Sequence, residues 1–314
     1  MSKQKPSQEQ INPILELFTN GQIQEALNAL DVLSKDYSDD ALLFNIRGAC
    51  FSGLGQKDAA VESYKKAVLL KPDYAKAHYN LGGALQEIGQ LDAAINSYEK
   101  AIVINPDYVE AHYSLGLTFQ DLGQLENTVN SYKQVVAIKP DFAGMHNNLG
   151  NVYRELGELD AALKSYKKAI AIKPDFVEAF FNQGITFQAQ NQLDSAVKSY
   201  EEVISIKPNS AEAHNNLGTI FLELKQLENA EETFKQAILL NPKYAGAHYN
   251  LGNTLKDLRK IYEAEESFRK AIVINPNYTE AHNNLGNIMK SDDRLEDAEA
   301  SYRKAIAINP DYAE

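Results

Sequence analysis

Apolar residues in the stretch from Ala77 to Ile88 fall at Ala77, Leu81, Ala84, Leu85 and Ile88. That three-and-four spacing predicts a helix with one buried stripe. Gly89 follows it and can adopt the left-handed conformation that ends a helix at little cost. A second stripe, Ala94, Ile95, Tyr98, Ala101, Ile102 and Ile104, predicts another helix from about Asp92 to Ile104. Asn105-Pro106 stops it, because Pro cannot continue a helix and restricts the residue before it. Two antiparallel helices are therefore expected, and the same pattern recurs along the chain. Pro72, Pro106, Pro140, Pro174, Pro208, Pro242, Pro276 and Pro310 are each 34 residues apart. Gly48, Gly82, Gly116, Gly150, Gly184, Gly218, Gly252 and Gly286 keep the same step. So do Ala60, Ala94, Ala162, Ala196, Ala230, Ala264 and Ala298, with Thr128 in the one gap. A fixed period of this length is the mark of a repeat architecture.

Gly82 in mid-helix costs about 1 kcal/mol of helix propensity relative to Ala. The loss makes sense if a partner helix carrying Ala94 and Tyr98 approaches closely. Tyr98 and its equivalents Tyr64, Tyr132, Tyr166, Tyr200, Phe234, Phe268 and Tyr302 are expected to fill the space between successive hairpins.

The set His78, Leu81, Gly82, Leu85, Ala94, Tyr98, Ala101 and Pro106 resembles the signature of the tetratricopeptide-repeat (TPR) family, with His where the family usually has Trp. The resemblance covers nearly the whole chain. It implies an all-α fold, a right-handed superhelical TPR solenoid of antiparallel helix pairs. Residues 41–312 hold eight 34-residue repeats. Residues 1–40 form an N-terminal segment and a degenerate capping repeat, which keeps Gly21 and Ala26 but has Ile14, Leu30 and Ser38 in place of Gly, an aromatic and Pro. A worn terminal repeat suits an end whose outer face meets water. Residues 313–314 read as the start of a further repeat.

Charge narrows the partners. With 31 basic and 43 acidic side chains the net charge is −12, and Lys and Arg are scattered among acids without a basic stripe. Nucleic acid is not expected as a partner. Cys50 is the only cysteine, which rules out an intrachain disulfide and a Cys-based metal site. No apolar run approaches a membrane span and the first ten residues lack a signal-peptide core. A cytoplasmic protein without a membrane partner is expected.

All six histidines, His78, His112, His146, His214, His248 and His282, share one repeat position. Equivalent side chains on stacked helices lie about 8–10 Å apart, too far to converge on a metal at about 2 Å. A structural role is expected, with Phe180 as the apolar stand-in. Cys50 occupies a slot filled elsewhere by Ala84, Val152 or Ile220, so it reads as a buried apolar group rather than a nucleophile. The glycines form no phosphate-binding loop. No cofactor, no metal and no catalytic residues are expected, and the chain reads as a non-enzyme.

The polar face of the first helices is more informative. Asn80, Asn148, Asn182, Asn216, Asn250 and Asn284 recur at one slot expected to be exposed, with Ser114 completing the set. Asn is a mediocre helix former, so recurrence asks for a reason. Recent duplication is one. Yet the adjacent slot has diverged freely as Tyr79, Tyr113, Asn147, Phe181, Asn215, Tyr249 and Asn283. An Asn amide matches the donors and acceptors of a peptide group. Rungs about 10 Å apart would meet an extended chain, rising about 3.3 Å per residue, at roughly every third residue. Tyr79, Tyr113, Phe181 and Tyr249 could add apolar contact. The acidic slots near the ladder, among them Glu110, Glu178, Glu212 and Glu280, suit ligands with basic residues, although a solvated face explains them equally.

In tetratricopeptide arrays the first helices line a concave, ligand-holding surface. The Asn ladder resembles the repeat arm of protein O-GlcNAc transferases, where concave-face Asn residues hold substrate backbones. That resemblance extends to the six asparagines, while Ser114 departs from it and Ile46 occupies the slot in the repeat from Ala41. The carboxylate clamp of cochaperones is not matched, since its Lys and Arg partners are missing. Two expectations follow: a non-catalytic scaffold that binds extended polypeptide in its groove, or the substrate-recruiting arm of a larger glycosyl- or sulfotransferase whose catalytic domain lies beyond residue 314. Self-association through the uncovered face of the last helix is a further expectation.

Overall fold

The computed structural model of the chain describes residues 5–312, and the expected start of a further repeat at 313–314 lies outside them. Among the described residues there are eighteen α-helices and no strand, with a short 3-10 turn at Pro310–Tyr312. They fall into two compact units, residues 5–156 and 157–312. The first unit holds four helix pairs: Gln8–Thr19 with Ile23–Asp36, Ala41–Gly53 with Lys57–Leu70, Ala75–Glu87 with Leu91–Ile104, and Val109–Asp121 with Leu125–Ile138. It ends with the helix Ala143–Glu155. The second unit opens with the helix Leu159–Ile172. Its four pairs are Val177–Ala189 with Leu193–Ile206, Ala211–Glu223 with Leu227–Leu240, Ala245–Asp257 with Ile261–Ile274, and Thr279–Ser291 with Leu295–Ile308.

Each pair after the first is held by a small residue meeting a ring. A Cβ placed on Gly82 would stand 2.6 Å from Cε1 of Tyr98, and the same closeness holds for Gly48 with Tyr64, Gly218 with Phe234 and Gly252 with Phe268. Only Gly lets the two helices close at that point. The Tyr98 ring thus closes its own hairpin and, with its hydroxyl toward Ser114 and Leu115 in the same cluster, also fills the space toward the next hairpin, as the sequence suggested. Tyr98 is 2% exposed, a burial that stabilises the pair by about 1.5–3 kcal/mol and more than offsets the helix-propensity cost of Gly82. Thr128, in the Ala column, is fully buried and satisfies its hydroxyl on the Gln124 carbonyl at 3.1 Å.

The turn inside each pair needs one left-handed residue. Gly21, Gly55, Gly89, Gly123 and Gly157 supply it with φ of +69° to +78°. The last four turns use Asn191, Lys225, Arg259 and Asp293 instead, at φ of +57° to +63°.

Between pairs, each second helix packs on the next first helix, and the first helices also touch one another. Ala41–Gly53 meets Ala75–Glu87, which meets Val109–Asp121; in the second unit Ala211–Glu223 meets Ala245–Asp257. The faces carrying the Asn slot are thus adjacent on these helices.

Candidate peptide-binding face

The histidines have a shared local task. Nε2 of His78 is 2.9 Å from the carbonyl oxygen of Pro72, and His112, His146, His214, His248 and His282 meet Pro106, Pro140, Pro208, Pro242 and Pro276 at 2.8–3.3 Å. A carbonyl only accepts, so Nε2 carries the proton and donates. Each ring thereby ties the first turn of its helix to the loop carrying the signature Pro. Phe180 has no such donor to offer the Pro174 carbonyl. Burial lowers the basicity of His248, partly opposed by its bond to Pro242. Among the described residues no three His, Cys, Asp or Glu side chains converge as a metal site. Cys50 is fully buried, and that burial pushes its thiol up, away from the thiolate a nucleophile needs.

The Asn slot is half-buried, not exposed, because the neighbouring first helix reaches over its edge. In the first unit Nδ2 of Asn80 donates to Oδ1 of Asn45 at 2.9 Å. Ser114 occupies the next rung, where it faces the Tyr98 hydroxyl, and Asn148 the one after. In the second unit Asn250 donates to Oδ1 of Asn215 at 3.1 Å. Asn215 in turn reaches Oδ1 of Asn216 at 3.4 Å, and Asn216 reaches the Tyr200 hydroxyl at 3.4 Å. Asn284 donates to Oδ1 of Asn253 at 2.8 Å and lies 3.4 Å from the Tyr249 hydroxyl. Asn182 takes part in contacts of its own, and its backbone carbonyl accepts from Thr186 at 2.7 Å. Asn80, Asn216, Asn250 and Asn284 are therefore each tied to the preceding repeat. The Oδ1 atoms of Asn80, Asn250 and Asn284 accept no hydrogen bond from the described residues.

The aromatic slot is also engaged. The Tyr79 ring lies 5.9 Å from Tyr98 and 5.1 Å from Tyr108, and Tyr249 lies 5.8 Å from Phe268 and 4.8 Å from Tyr278. Tyr113 stacks on Tyr132 at 6.0 Å, and Phe181 meets Tyr200 edge-on at 5.6 Å. These separations are those of favourable ring pairs. Burial raises the phenols of Tyr98, Tyr108 and Tyr278 to about 12.

Several partners were not singled out from sequence. Asn45, Asn215 and Asn253 receive the ladder amides, yet they stand in mixed columns that also hold Tyr, Phe, Gly and Leu, which masks them as partners. Arg47 and Gln183 interrupt a column that is otherwise Leu81, Leu115, Leu149, Leu217, Leu251 and Leu285. Arg47 reaches back to Asp31 at 2.7 Å and Ser34 at 3.1 Å, a polar join to the first hairpin. Gln183 is 7% exposed and accepts from Ser199 at 3.2 Å. The break in the Leu column was the available signal.

Comparisons with known proteins agree with this architecture. The family described as TPR repeat matches residues 53–89, 84–123, 120–154, 150–191 and 186–225. Tetratricopeptide repeat families match 211–244, 245–278 and 279–312. A peroxisomal targeting signal receptor of Candida albicans is 32% identical over 65 residues, 21% of this chain and 11% of that protein. The chain thus spans about a tenth of the curated relative it matches. Among solved structures, MamA is 27% identical with a TM-score of 0.50, covering 52% of this chain and 96% of its own. The C-terminal part of a TPR repeat-containing protein from Cytophaga hutchinsonii has a TM-score of 0.69 at 18% identity, covering 77% and 99%. YrrB, described as a TPR protein with an unusual peptide-binding site, has a TM-score of 0.52 at 22% identity, covering 60% and 96%. From its 34-residue hairpins to its family matches, this chain is a member of the tetratricopeptide-repeat family.

Proposed function

We propose that the chain is a non-catalytic protein-interaction scaffold, working in the cytoplasm, which holds extended polypeptide against the first-helix faces of its units. The observation that carries this is the cross-tied Asn slot. Each tie fixes an amide in one orientation and leaves Oδ1 of Asn80, Asn250 and Asn284 free to accept. Oriented acceptors of this kind on each unit suit the backbone N–H groups of a bound chain, with little dependence on its side chains. Tyr79, Tyr113, Phe181 and Tyr249, held by their ring neighbours, form rigid borders beside the rungs, while Ser114, Asn148, Asn182 and Asn216 continue them. Membership of a family of repeat scaffolds, with a targeting-signal receptor among the relatives, points the same way. Acidic net charge favours protein over nucleic acid as the partner.

The test is capture of polypeptide ligands from native lysate, or from a peptide array, beside the Asn216→Ala, Asn250→Ala, Asn284→Ala triple variant. The variant also loses ties between repeats, so its melting is followed by circular dichroism and binding is compared well below the lower midpoint. Loss of captured ligands by a folded variant supports the reading. Undiminished capture overturns it.

A further inference from the structure

Resting on that reading, we infer that Arg154 takes a carboxylate of the bound chain, so that the first unit selects polypeptide carrying an acidic group. Arg154 stands in the last turn of the helix Ala143–Glu155, which also carries Asn148. It is half-buried, and its Nε is closed off from solvent without a hydrogen-bond partner. Its two Nη groups form no hydrogen bond or ion pair with the described residues either, and they are not closed off, so they reach solvent. All the N–H donors of this guanidinium thus lack an acceptor among the described residues. Arg47, Arg269, Arg294 and Arg303, by contrast, each hold a carboxylate at 2.6–2.8 Å. Arg154 also differs from an unpaired charge on a solvated face, because part of its polar head has already left water without compensation.

The same slot in other repeats shows what is missing. It holds Gln86, Gln120 and Gln188. Gln86 accepts from the Tyr98 hydroxyl at 3.0 Å and donates to Asp121 at 3.5 Å, and Gln188 donates to Glu223 at 2.7 Å. The acceptor in both cases is an acid 35 residues on. The same step from Arg154 leads to Ala189, which has no charge. Arg has no acceptor of its own, so it cannot take a phenol proton as Gln86 and Gln120 do. The slot therefore holds a stronger donor than Gln, without the acid that meets Gln elsewhere.

Asn148 makes the helix suited to a polypeptide ligand. Its side chain forms no hydrogen bond with the described residues, whereas the amides of Asn80, Asn216, Asn250 and Asn284 are tied. One helix thus offers an uncommitted amide for a backbone and an uncommitted guanidinium for an acid. Against the chain's net charge of −12, only a directed contact holds an acid in place. A guanidinium supplies one by donating two parallel hydrogen bonds to the two oxygens of a carboxylate. That carboxylate belongs to an Asp or Glu side chain or to a chain terminus, and the test separates the two sources.

The experiment titrates the full chain with three short alternating Ala-Ser peptides, labelled at the amino terminus and read by fluorescence anisotropy. The first carries a central Glu and an amidated carboxyl terminus. The second has Gln at the centre and the same amide, and the third has the central Gln with a free terminal carboxylate. The Glu peptide should bind about fivefold tighter than the amidated Gln peptide, a factor equivalent to about 1 kcal/mol. Arg154→Gln installs the residue that Gln86, Gln120 and Gln188 show the slot accommodates. It should remove the difference and leave the amidated Gln peptide's affinity unchanged. Arg154→Lys should keep only part of the difference, since an ammonium has no fork. The same advantage for the third peptide in place of the first supports the inference and assigns the carboxylate to a chain terminus. No advantage for either acid, or one that survives Arg154→Gln, overturns it. The Asn216→Ala, Asn250→Ala, Asn284→Ala variant keeps the two readings apart. If it weakens binding of the amidated Gln peptide, the groove reading stands whatever Arg154 does, and if it does not, the groove reading fails. Absence of binding by all three peptides counts against both.

Discussion

Gly82 faces the ring of Tyr98 so closely that a methyl group on Gly82 would stand 2.6 Å from Cε1 and 2.7 Å from Cδ1. Ala raises helix propensity by about 1 kcal/mol, yet forcing a carbon into that contact costs about 1–3 kcal/mol. Gly82→Ala should therefore lower stability by up to about 2 kcal/mol, against its propensity. Adding Tyr98→Leu should recover part of the loss relative to Tyr98→Leu alone, a coupling that a double-mutant cycle of thermal midpoints measures.

The last four turns place Asn191, Lys225, Arg259 and Asp293 where the earlier turns place Gly. A left-handed Lys or Arg costs about 1–2 kcal/mol, part of which Gly returns as unfolded-state entropy. Lys225→Gly and Arg259→Gly should each stabilise the second unit by about 0.5–1 kcal/mol. Gly89→Ala, the reverse change in the first unit, should destabilise. Denaturant titrations of the single variants check both directions, and a loss of stability in Lys225→Gly would refute the account.

His248 has its pKa pushed below the usual 6.5 chiefly by burial, with the Pro242 bond opposing and Lys270 assisting. The unfolded chain then binds more protons than the folded one. His248's neutral form is undisturbed above the unfolded value, and stability falls as pH drops through about 6.5 toward the lower folded value. His248→Phe, copying the natural Phe180, should flatten part of the loss between about pH 7.5 and pH 5. Denaturant midpoints at the two pH values show whether it does.

Glu265 joins adjacent repeats by holding Arg294 at 2.6 Å while pairing with Arg269 on its own helix at 2.8 Å. The hydrogen bond from Arg294, above all, holds its carboxyl below the ordinary 4.5. Its contribution is present above that value and is lost as acid takes the pH through the lower folded value. Glu265→Gln should lower the thermal midpoint at neutral pH, and the difference should narrow at 1 M salt. An unchanged midpoint at low salt would assign the pair no role in joining the repeats.

The architecture was legible because every hairpin repeats the same local signals. Pro106 and its equivalents mark stops, Gly82 marks the close approach, and their period needs no long-range knowledge. Both contacts of Tyr98 were legible: the close approach to Gly82 of its own hairpin, and the packing toward the next hairpin, where it meets Ser114 and Leu115. The Asn column was visible as recurrence, while its partial burial was not. Asn80 bonds to Asn45, 35 residues earlier, a register one residue off the repeat, so it falls on a neighbouring column whose identity varies. The histidines show the opposite case. Their common slot is evident in the sequence, but their shared partner, the Pro carbonyl six residues earlier, is set by how the loop folds back on the helix start.

The ring pairs carry a spectroscopic consequence. The chain contains seventeen tyrosines and no tryptophan, so its intrinsic emission comes from phenols alone. Those at the seams lie in near-contact, such as Tyr79 with Tyr108 at 5.1 Å and Tyr249 with Tyr278 at 4.8 Å. Excitation absorbed by one ring can pass to its neighbour before emission, depolarising the light wherever the seam is intact. The steady-state anisotropy of tyrosine fluorescence should rise as seams part, giving a label-free optical gauge of repeat-to-repeat packing. A single tryptophan placed at Tyr79, whose ring meets Tyr108 across the seam, would act as the acceptor and confine that gauge to one joint.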